Sequence, residues 1–304
     1  MHDQTHAFTS ERRWPATLAC SFSGKAGRTS LSRLRFSGPL RVQRLFYPEK
    51  KAAEAAALPC HCCLLHPPGG MVSGDSLDVS CRLEDKAHCL LTTPAAGKIY
   101  RADARGVKQR QSCAVYLEDG VMEWLPQENI VFNGARVSLR TVFRLRPQSR
   151  LIGWDLTCLG RGACGEKFSS GEFVQSMSIY RDETPLLHER LELVGGEGEG
   201  PALLRGGSVL AVFYACGRAE NAADAQALKQ AGEILQALCE DPGCGRKTNS
   251  GAIRAGATLR RGVLIARGLG ADAALAKRFC LTAWKLTRPL LLRLESCAPR
   301  IWGL

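Results

Sequence analysis

The stretch LLHPPGGMVSGD, residues 64–75, decides how the chain folds, because an apolar run stops at two prolines and two glycines and then turns again toward an aspartate. Pro67 and Pro68 restrict φ and donate no backbone hydrogen bond, whereas Gly69 and Gly70 permit positive φ. We therefore predict a structural turn that ends one strand and precedes another.

The next segment, LDVSCRLE at residues 77–84, alternates apolar and polar residues. Leu77, Val79, Cys81 and Leu83 share one face of a strand, and the polar residues share the other. One face is therefore expected to be buried and one solvated, which is typical of an antiparallel sheet.

The same period of two recurs along most of the chain, at residues 29–36, 40–46, 114–117 and 137–145. Only two segments have the periodicity and capping residues of helices, at about 221–239 and 272–287. We therefore predict a mainly β fold, a many-stranded antiparallel or mixed scaffold with a small α-helical element in the C-terminal third. No internal repeat has a fixed period, which gives no support to a regular solenoid.

The limits of the folded domain follow from the position at which the first predicted strand begins. Residues 1–15 are expected to form a flexible tail, and residues 16–304 a β-rich domain that includes both helices. The segment at residues 50–57 is rich in alanine and is predicted to be an insertion in a loop.

The chain is basic, with 41 lysines and arginines against 29 aspartates and glutamates, a formal charge of +12 over 304 residues. Such a charge attracts acidic partners, whether nucleic acid, anionic lipid or acidic protein. No apolar run approaches the roughly 18 residues of a membrane helix, and no export signal follows the N-terminal arginines. We expect no membrane association.

The chain contains 14 cysteines. Most lie at apolar positions of predicted strands or helices, where a reduced cysteine behaves as a small buried hydrophobe. This usage indicates a reducing, cytoplasmic setting rather than a disulfide framework.

Cys60 and Cys63 form a CxxC pattern and could supply two thiolates to a zinc site, with Cys239 and Cys244 as distant partners. A metal-dependent enzyme or zinc-binding protein using Cys60 and Cys63 is therefore an alternative function. Residues 60–65 are, however, predicted to form a strand, on which these two side chains diverge. His66 precedes the double proline and is expected to orient the turn by a backbone hydrogen bond, although a metal ligand remains the alternative.

Other catalytic patterns are incomplete. The GCGRKT segment at residues 243–248 lacks the glycine before lysine that a phosphate-binding loop requires, and no GxSxG motif is present. Basic tracts alternate along strands, and only 7% of residues are aromatic, which favours solvated strand faces over a nucleic-acid interface. Nucleic-acid binding is kept as a third, testable possibility.

Five blocks carry a family resemblance: GPLRVQRLFYPE at 38–49, LLHPPGGMVSGD at 64–75, LLTTPAAGKIYR at 90–101, LEDGVMEWLPQENIVFNGAR at 117–136 and GRGACGEKFSSGEF at 160–173. In order and spacing they resemble the urease accessory protein UreD family, also called UreH. The resemblance covers roughly residues 18–304.

The resemblance implies a non-enzymatic maturation factor with an extended, many-stranded β structure. Members of that family bind urease apoprotein and UreF, which in turn holds the GTPase UreG, and the assembly delivers nickel to the urease active site. The implied role is a scaffold and conduit with no tightly bound cofactor and only transient nickel.

A conduit has to release its cargo, so a thiolate or multi-histidine site would hold nickel too tightly. Dispersed carboxylates and amides suit transit better, and the acidic or amide residues within the resembling blocks are the candidates for the nickel conduit or a partner interface. These residues are Asp75, Glu123, Gln127, Glu128 and Glu166. For each of them, capping a turn or pairing with an arginine is an equal alternative. The segment around Glu123 and Gln127 is the preferred one, because Pro126 frees a local strand edge.

Overall fold

The computed structural model describes residues 13–196, 204–240 and 253–303. Its strands form two sheets that face each other. The first sheet contains β1 (Trp14–Ser23), β2 (Ser30–Ser37), β6 (Asp75–Glu84), β9 (Gln109–Leu117), β12 (Arg136–Leu145), β15 (Glu172–Arg181) and β16 (Thr184–Val194), in the order β16-β15-β12-β9-β6-β1-β2.

The second sheet has a main path of eight strands with four short strands beside it. The main path contains β3 (Arg41–Val42), β4 (Cys60–Leu65), β7 (His88–Thr92), β10 (Val121–Trp124), β13 (Arg150–Arg161), β17 (Val209–Cys216), β18 (Arg254–Arg260) and β19 (Val263–Gly270), in the order β18-β19-β17-β13-β10-β7-β4-β3. The short strands are β5 (Gly70–Met71), β8 (Gly97–Ile99), β11 (Asn129–Val131) and β14 (Glu166–Lys167). The prediction of a mainly β, many-stranded mixed scaffold is confirmed.

The chain winds between the two sheets as an irregular coil. After β6, β9 and β12 of the first sheet it crosses to the second sheet and then returns beside its previous strand, so β6, β9, β12 and β15 are parallel neighbours. In the second sheet β4, β7, β10 and β13 follow the same rule. The segments that lead from one strand of a sheet through the other sheet to the next strand differ in length, which is why no fixed repeat is visible in the sequence.

The antiparallel pairing expected for the LDVSCRLE strand is wrong. β6 has the predicted alternation of buried and more exposed residues, but both of its neighbours, β1 and β9, run parallel to it. Alternation reports which face of a strand is buried, whereas the direction of its neighbours depends on the crossing between sheets. Three antiparallel pairs arise where the chain turns back directly, namely β1–β2, β15–β16 and β18–β19.

Two apolar cores hold three layers together. The inter-sheet core contains Leu18, Leu83 and Phe143. The second core lies between the outer face of the second sheet and the helices, and contains Trp154 and Phe213. The second sheet is therefore covered on both faces in its centre.

The helical layer consists of α1 (Ala222–Glu240) and α2 (Ala273–Leu292), close to the two predicted positions. Asn221 accepts the Asp224 backbone N–H at 2.9 Å, and Asp272 accepts two N–H groups in the first turn of α2. Within the described ranges, neither helix has the length and apolarity that crossing a bilayer requires.

Helix α2 does not stop before Pro289, contrary to the prediction. Pro289 lies in the last turn, where it removes one backbone hydrogen bond, and the buried side chains of Leu291 and Leu292 keep that turn packed on the sheet. The helix ends at Arg293, whose φ of 57° is left-handed and whose N–H donates to the Pro289 carbonyl.

Three further boundaries differ from the predictions or lie outside the described residues. Trp14 and Pro15 belong to β1, so the β structure begins before the predicted limit of the tail, and residues 1–12 are not described. The strand expected at 40–46 is reduced to Arg41–Val42 and an isolated bridge between Phe46 and His61. The GCGRKT segment lies outside the described residues.

The cysteines are mainly interior, as predicted. Ten of the 13 described cysteines are buried and all 13 are free, while Cys164 is exposed. Burial raises the pKa of Cys63 to about 11, so this thiol stays protonated at neutral pH.

Two buried ion-pair systems hold the helices on the second sheet. Arg150 of β13 donates to both carboxylate oxygens of Asp224 in α1, at 2.9 and 3.0 Å. Arg288 of α2 donates through Nε to the Glu123 carboxylate of β10 at 2.9 and 3.1 Å, and through Nη2 to Glu49 at 2.7 and 2.8 Å.

Glu123 has the most complete set of partners. Its carboxylate also accepts the Trp284 indole N–H at 2.7 Å and contacts His88 Nε2 at 2.8 Å. Burial alone would raise its pKa, but the Arg288 charge and these hydrogen bonds lower the pKa to about 2. Glu123 therefore contributes stability that is present above about pH 4.5 and is lost as the pH falls towards 2.

We expect Glu123→Ala to lower the free energy of unfolding by about 3–5 kcal/mol, because it leaves the Arg288 guanidinium buried without one of its carboxylates. Urea unfolding at pH 7 measures this change. The control is Glu166→Ala, which removes an exposed pair with Arg161 and should cost less than about 1 kcal/mol. Equal losses in the two variants would contradict the role assigned to Glu123.

Candidate functional site

Strand β13 places one carboxylate between the two sheets. Trp154 and Leu156 of this strand belong to the core under the helices, whereas Leu151 and Leu159 belong to the inter-sheet core. Because successive side chains alternate, Asp155 points toward the first sheet.

Asp155 is an interior acid without a cationic partner. No hydrogen bond or ion pair joins its carboxylate to another residue in the described part of the chain. Burial raises its pKa to about 7. Protein surrounds the residue, yet part of its surface remains accessible because cavities adjoin it.

The first of these, the inter-sheet cavity, has a volume of about 240 Å³. It extends from the turn at residues 66–70 to Asp155, between the two sheets. Its wall carries amide and hydroxyl side chains, namely Gln111, Gln127, Asn129, Thr141 and Gln175.

The second, the edge cavity, has a volume of about 490 Å³ and lies where β15 and β16 face β17 and β19. Asp155 and Gln175 line both cavities. Thr157 Oγ1 donates to Gln175 Oε1 at 3.1 Å, which fixes the amide beside Asp155. The two cavities therefore adjoin at a polar junction of one carboxylate and one amide.

The HPPGG turn forms one end of the inter-sheet cavity. The His66 carbonyl accepts the Gly69 N–H at 2.8 Å, which closes the turn by a backbone hydrogen bond. Gly69 has a φ of +76°, and a Cβ on Gly70 would collide with the Tyr100 ring. Pro67 and Pro68 form the exposed part of this turn. The two glycines are thus required by backbone conformation and by close packing.

Among the predicted conduit residues, Gln127 lines the inter-sheet cavity. Lys277 Nζ donates to its Oε1 at 2.8 Å. Glu128 is next in the chain and half-buried, and its charge acts on Lys277. Asp75 caps the turn before β6 by accepting the Val72 N–H at 2.8 Å, and burial raises its pKa.

Glu123 and Glu166 lie away from this route. Glu123 faces the helices and lines neither cavity, and Glu166 forms a bidentate ion pair with Arg161 at 2.9 and 3.1 Å. Both glutamates pair with an arginine, Glu123 with Arg288 and Glu166 with Arg161, which is the alternative role left open from the sequence. The roles in nickel transfer predicted for these five residues stay predictions.

The alternative metal site at Cys60 and Cys63 has the divergence expected of strand neighbours. Cys60 and Cys62 belong to the inter-sheet core, whereas His61 on the opposite face contacts Glu49. Of the more distant cysteines proposed for this site, Cys239 is half-buried in α1 and Cys244 lies outside the described residues.

Sequence reasoning missed Asp155 and Gln175. A signal for Asp155 was present, since it is the single charged residue within LIGWDLTCLG, residues 151–160. A charge in the middle of an otherwise apolar strand needs a partner or water. Gln175 gives no comparable signal, because amides are common on half-buried strands.

The chain is similar to known proteins along nearly its whole length. The family described as "UreD urease accessory protein" matches residues 15–303. A urease accessory protein UreD from Hahella chejuensis is 39% identical over 303 residues, covering 98% of this chain and 93% of the relative.

Two further relatives bear the same name. The protein from Chromohalobacter salexigens is 39% identical over 307 residues, with 98% of this chain and 91% of the relative covered. The protein from Pseudomonas putida is 40% identical over 291 residues, with 95% and 94% covered. Matches of this extent and identity show that the chain belongs to the UreD family of urease accessory proteins.

Proposed function

We propose that the chain is a urease maturation factor that holds urease apoprotein and UreF, through which UreG joins, while nickel passes along the inter-sheet and edge cavities. The observation that carries this proposal is Asp155, an unpaired carboxylate where the two cavities adjoin. A buried negative charge is costly, and a passing divalent cation or water offsets that cost.

The lining of the route suits transfer rather than storage. Amide and hydroxyl oxygens bind borderline cations weakly, so nickel can enter and leave. Cys113 also lines the inter-sheet cavity, but burial and the charge of Asp155 raise its pKa to about 12. Its thiol stays protonated and is a poor ligand.

Two of the three arginines that line the edge cavity, Arg190 and Arg267, are paired with acidic residues, and Arg254 is the third. Arg267 forms a bidentate ion pair with Glu189 at 2.5 and 3.1 Å, and Arg190 pairs with Glu192 at 2.6 Å. These acidic partners offset the positive charge locally.

The scaffolding part of the proposal draws support from the exposed edge of the first sheet. Leu34 and Phe36 of β2 are 37% and 47% exposed, and Arg33 and Arg35 lie beside them. Such a basic and apolar strand fits an acidic protein surface. The proposed role makes and breaks no covalent bond, so we propose a non-enzymatic protein, and the many buried free cysteines suit the reducing cytoplasm.

We expect Asp155→Ala to impair urease activation, because the cation loses the charge that stabilises it at the junction. In a strain lacking the chain and complemented with this variant, urease nickel content and activity should fall about tenfold, the effect of about 1.4 kcal/mol on the barrier. Metal analysis of purified urease and an activity assay measure this.

The matched control is Asp78→Asn, which changes an exposed aspartate on β6 and should leave activation unchanged. Pull-down with UreF and urease tests the scaffold separately, since Asp155→Ala should retain both partners. Nickel-replete, active urease in the Asp155→Ala strain would overturn the conduit, and in the strain lacking the chain it would overturn the maturation role.

The stability of Asp155→Asn should depend on pH differently from that of the wild type. The raised pKa means that the folded protein holds a proton which the unfolded chain releases, so the wild type loses stability as the pH rises from about 4 to 7. The free energy of unfolding of Asp155→Asn minus that of the wild type should be about 1–3 kcal/mol larger at pH 8 than at pH 5. Urea unfolding at both pH values measures it, and an advantage independent of pH would contradict the assignment.

A further inference from the structure

We propose that Glu49, His61 and Cys297 form a binding site for a zinc-class divalent cation, on the helix side of the second sheet and separate from the nickel route. One ligand atom of each residue, a carboxylate oxygen, an imidazole nitrogen and a thiol sulfur, lies within 4.8 Å of the other two. Ligand atoms around tetrahedral zinc are about 3.3–3.7 Å apart. A contraction of about 1 Å therefore suffices.

The donor types select the class of metal. Thiolate and imidazole prefer zinc and its neighbours over magnesium or calcium, which require mainly oxygen. Three protein ligands leave one coordination position for water. The thiol proton passes to solvent on binding, since the metal coordinates the thiolate.

Most of the site is already in place without metal. The side chains of Glu49 and His61 are 7% and 5% exposed, and Glu49 Oε1 lies 3.0 Å from His61 Nε2. His61 is held by β4, and Glu49 by Arg288. Hydrogen bonds from outer groups commonly orient carboxylate ligands, so Arg288 is compatible with coordination.

The charges of the buried network favour a cation. Glu49 and Glu123 carry two negative charges and Arg288 one positive charge, while His61 and His88 are the remaining members. With neutral imidazoles the network is one charge negative. A divalent cation bound with the Cys297 thiolate makes it neutral, which lowers the cost of burial.

The third ligand would tie the C-terminal segment to the sheet. Cys297 is half-buried and follows α2, whereas Glu49 and His61 come from the first quarter of the chain. A metal here would cross-link segments more than 230 residues apart in sequence. Partial exposure of Cys297 gives the ion access from solvent.

Protection of the thiol in the reduced, full-length wild type tests the site directly. Iodoacetamide labelling of Cys297, followed by peptide mass spectrometry, should slow at least about tenfold once buffered free Zn²⁺ exceeds about ten times its dissociation constant. Labelling of the exposed Cys164 should not slow. An unchanged rate for Cys297 at saturating Zn²⁺ would overturn the proposal.

Cobalt substitution supplies an independent readout. Co²⁺ added to the wild type should produce a thiolate-to-cobalt charge-transfer band that is lost in Cys297→Ser and kept in the matched control Cys164→Ser. Persistence of the band in Cys297→Ser would overturn the site. Both experiments use the isolated protein, so their outcome is independent of urease activation.

Discussion

The centre of the second sheet is covered on both faces, by the first sheet on one side and by the helices on the other, and this constraint governs every charge placed there. A charged group in such a layer needs a partner of opposite charge or a hydrated space. Strands β10 and β13 show one solution each. Glu123 on β10 is surrounded by donors, and Asp155 on β13 borders two cavities.

These two carboxylates differ in what they can do. The partners of Glu123 hold it ionised and immobile, so it joins a helix to a sheet. Asp155 has no such partners among the described residues, and burial raises its pKa to about 7. An acid in that state exchanges protons and cations readily, which makes it suited to contact with a mobile ion. The proposed nickel route thus uses the less satisfied of two chemically similar residues.

The sequence was sufficient for the class of fold and for many individual elements. Alternation identified β6 and β12, and capping residues identified the start of α2 at Asp272. It could not identify the partners of each strand, since neighbours such as β6 and β9 are separated by an excursion through the other sheet. The burial of Leu291 and Leu292 similarly carried α2 past Pro289, against the local preference.

The candidate sites depended still more on tertiary structure. Gln127 was predicted from its block and does line the inter-sheet cavity, whereas Asp155 required knowledge of which face of β13 meets the first sheet. The approach of Cys297 to Glu49 and His61 joins opposite ends of the chain, and no local pattern reports such a distance.

The contacts of Arg288 also affect how the chain folds during its synthesis. Glu49 and Glu123 emerge from the ribosome long before Arg288 of α2, the arginine that pairs with both of them. A nascent or prematurely terminated polypeptide holds two carboxylates at the unfinished surface of its second sheet, where they oppose burial. Completion of α2 during synthesis therefore supplies the guanidinium that lets the two carboxylates be buried.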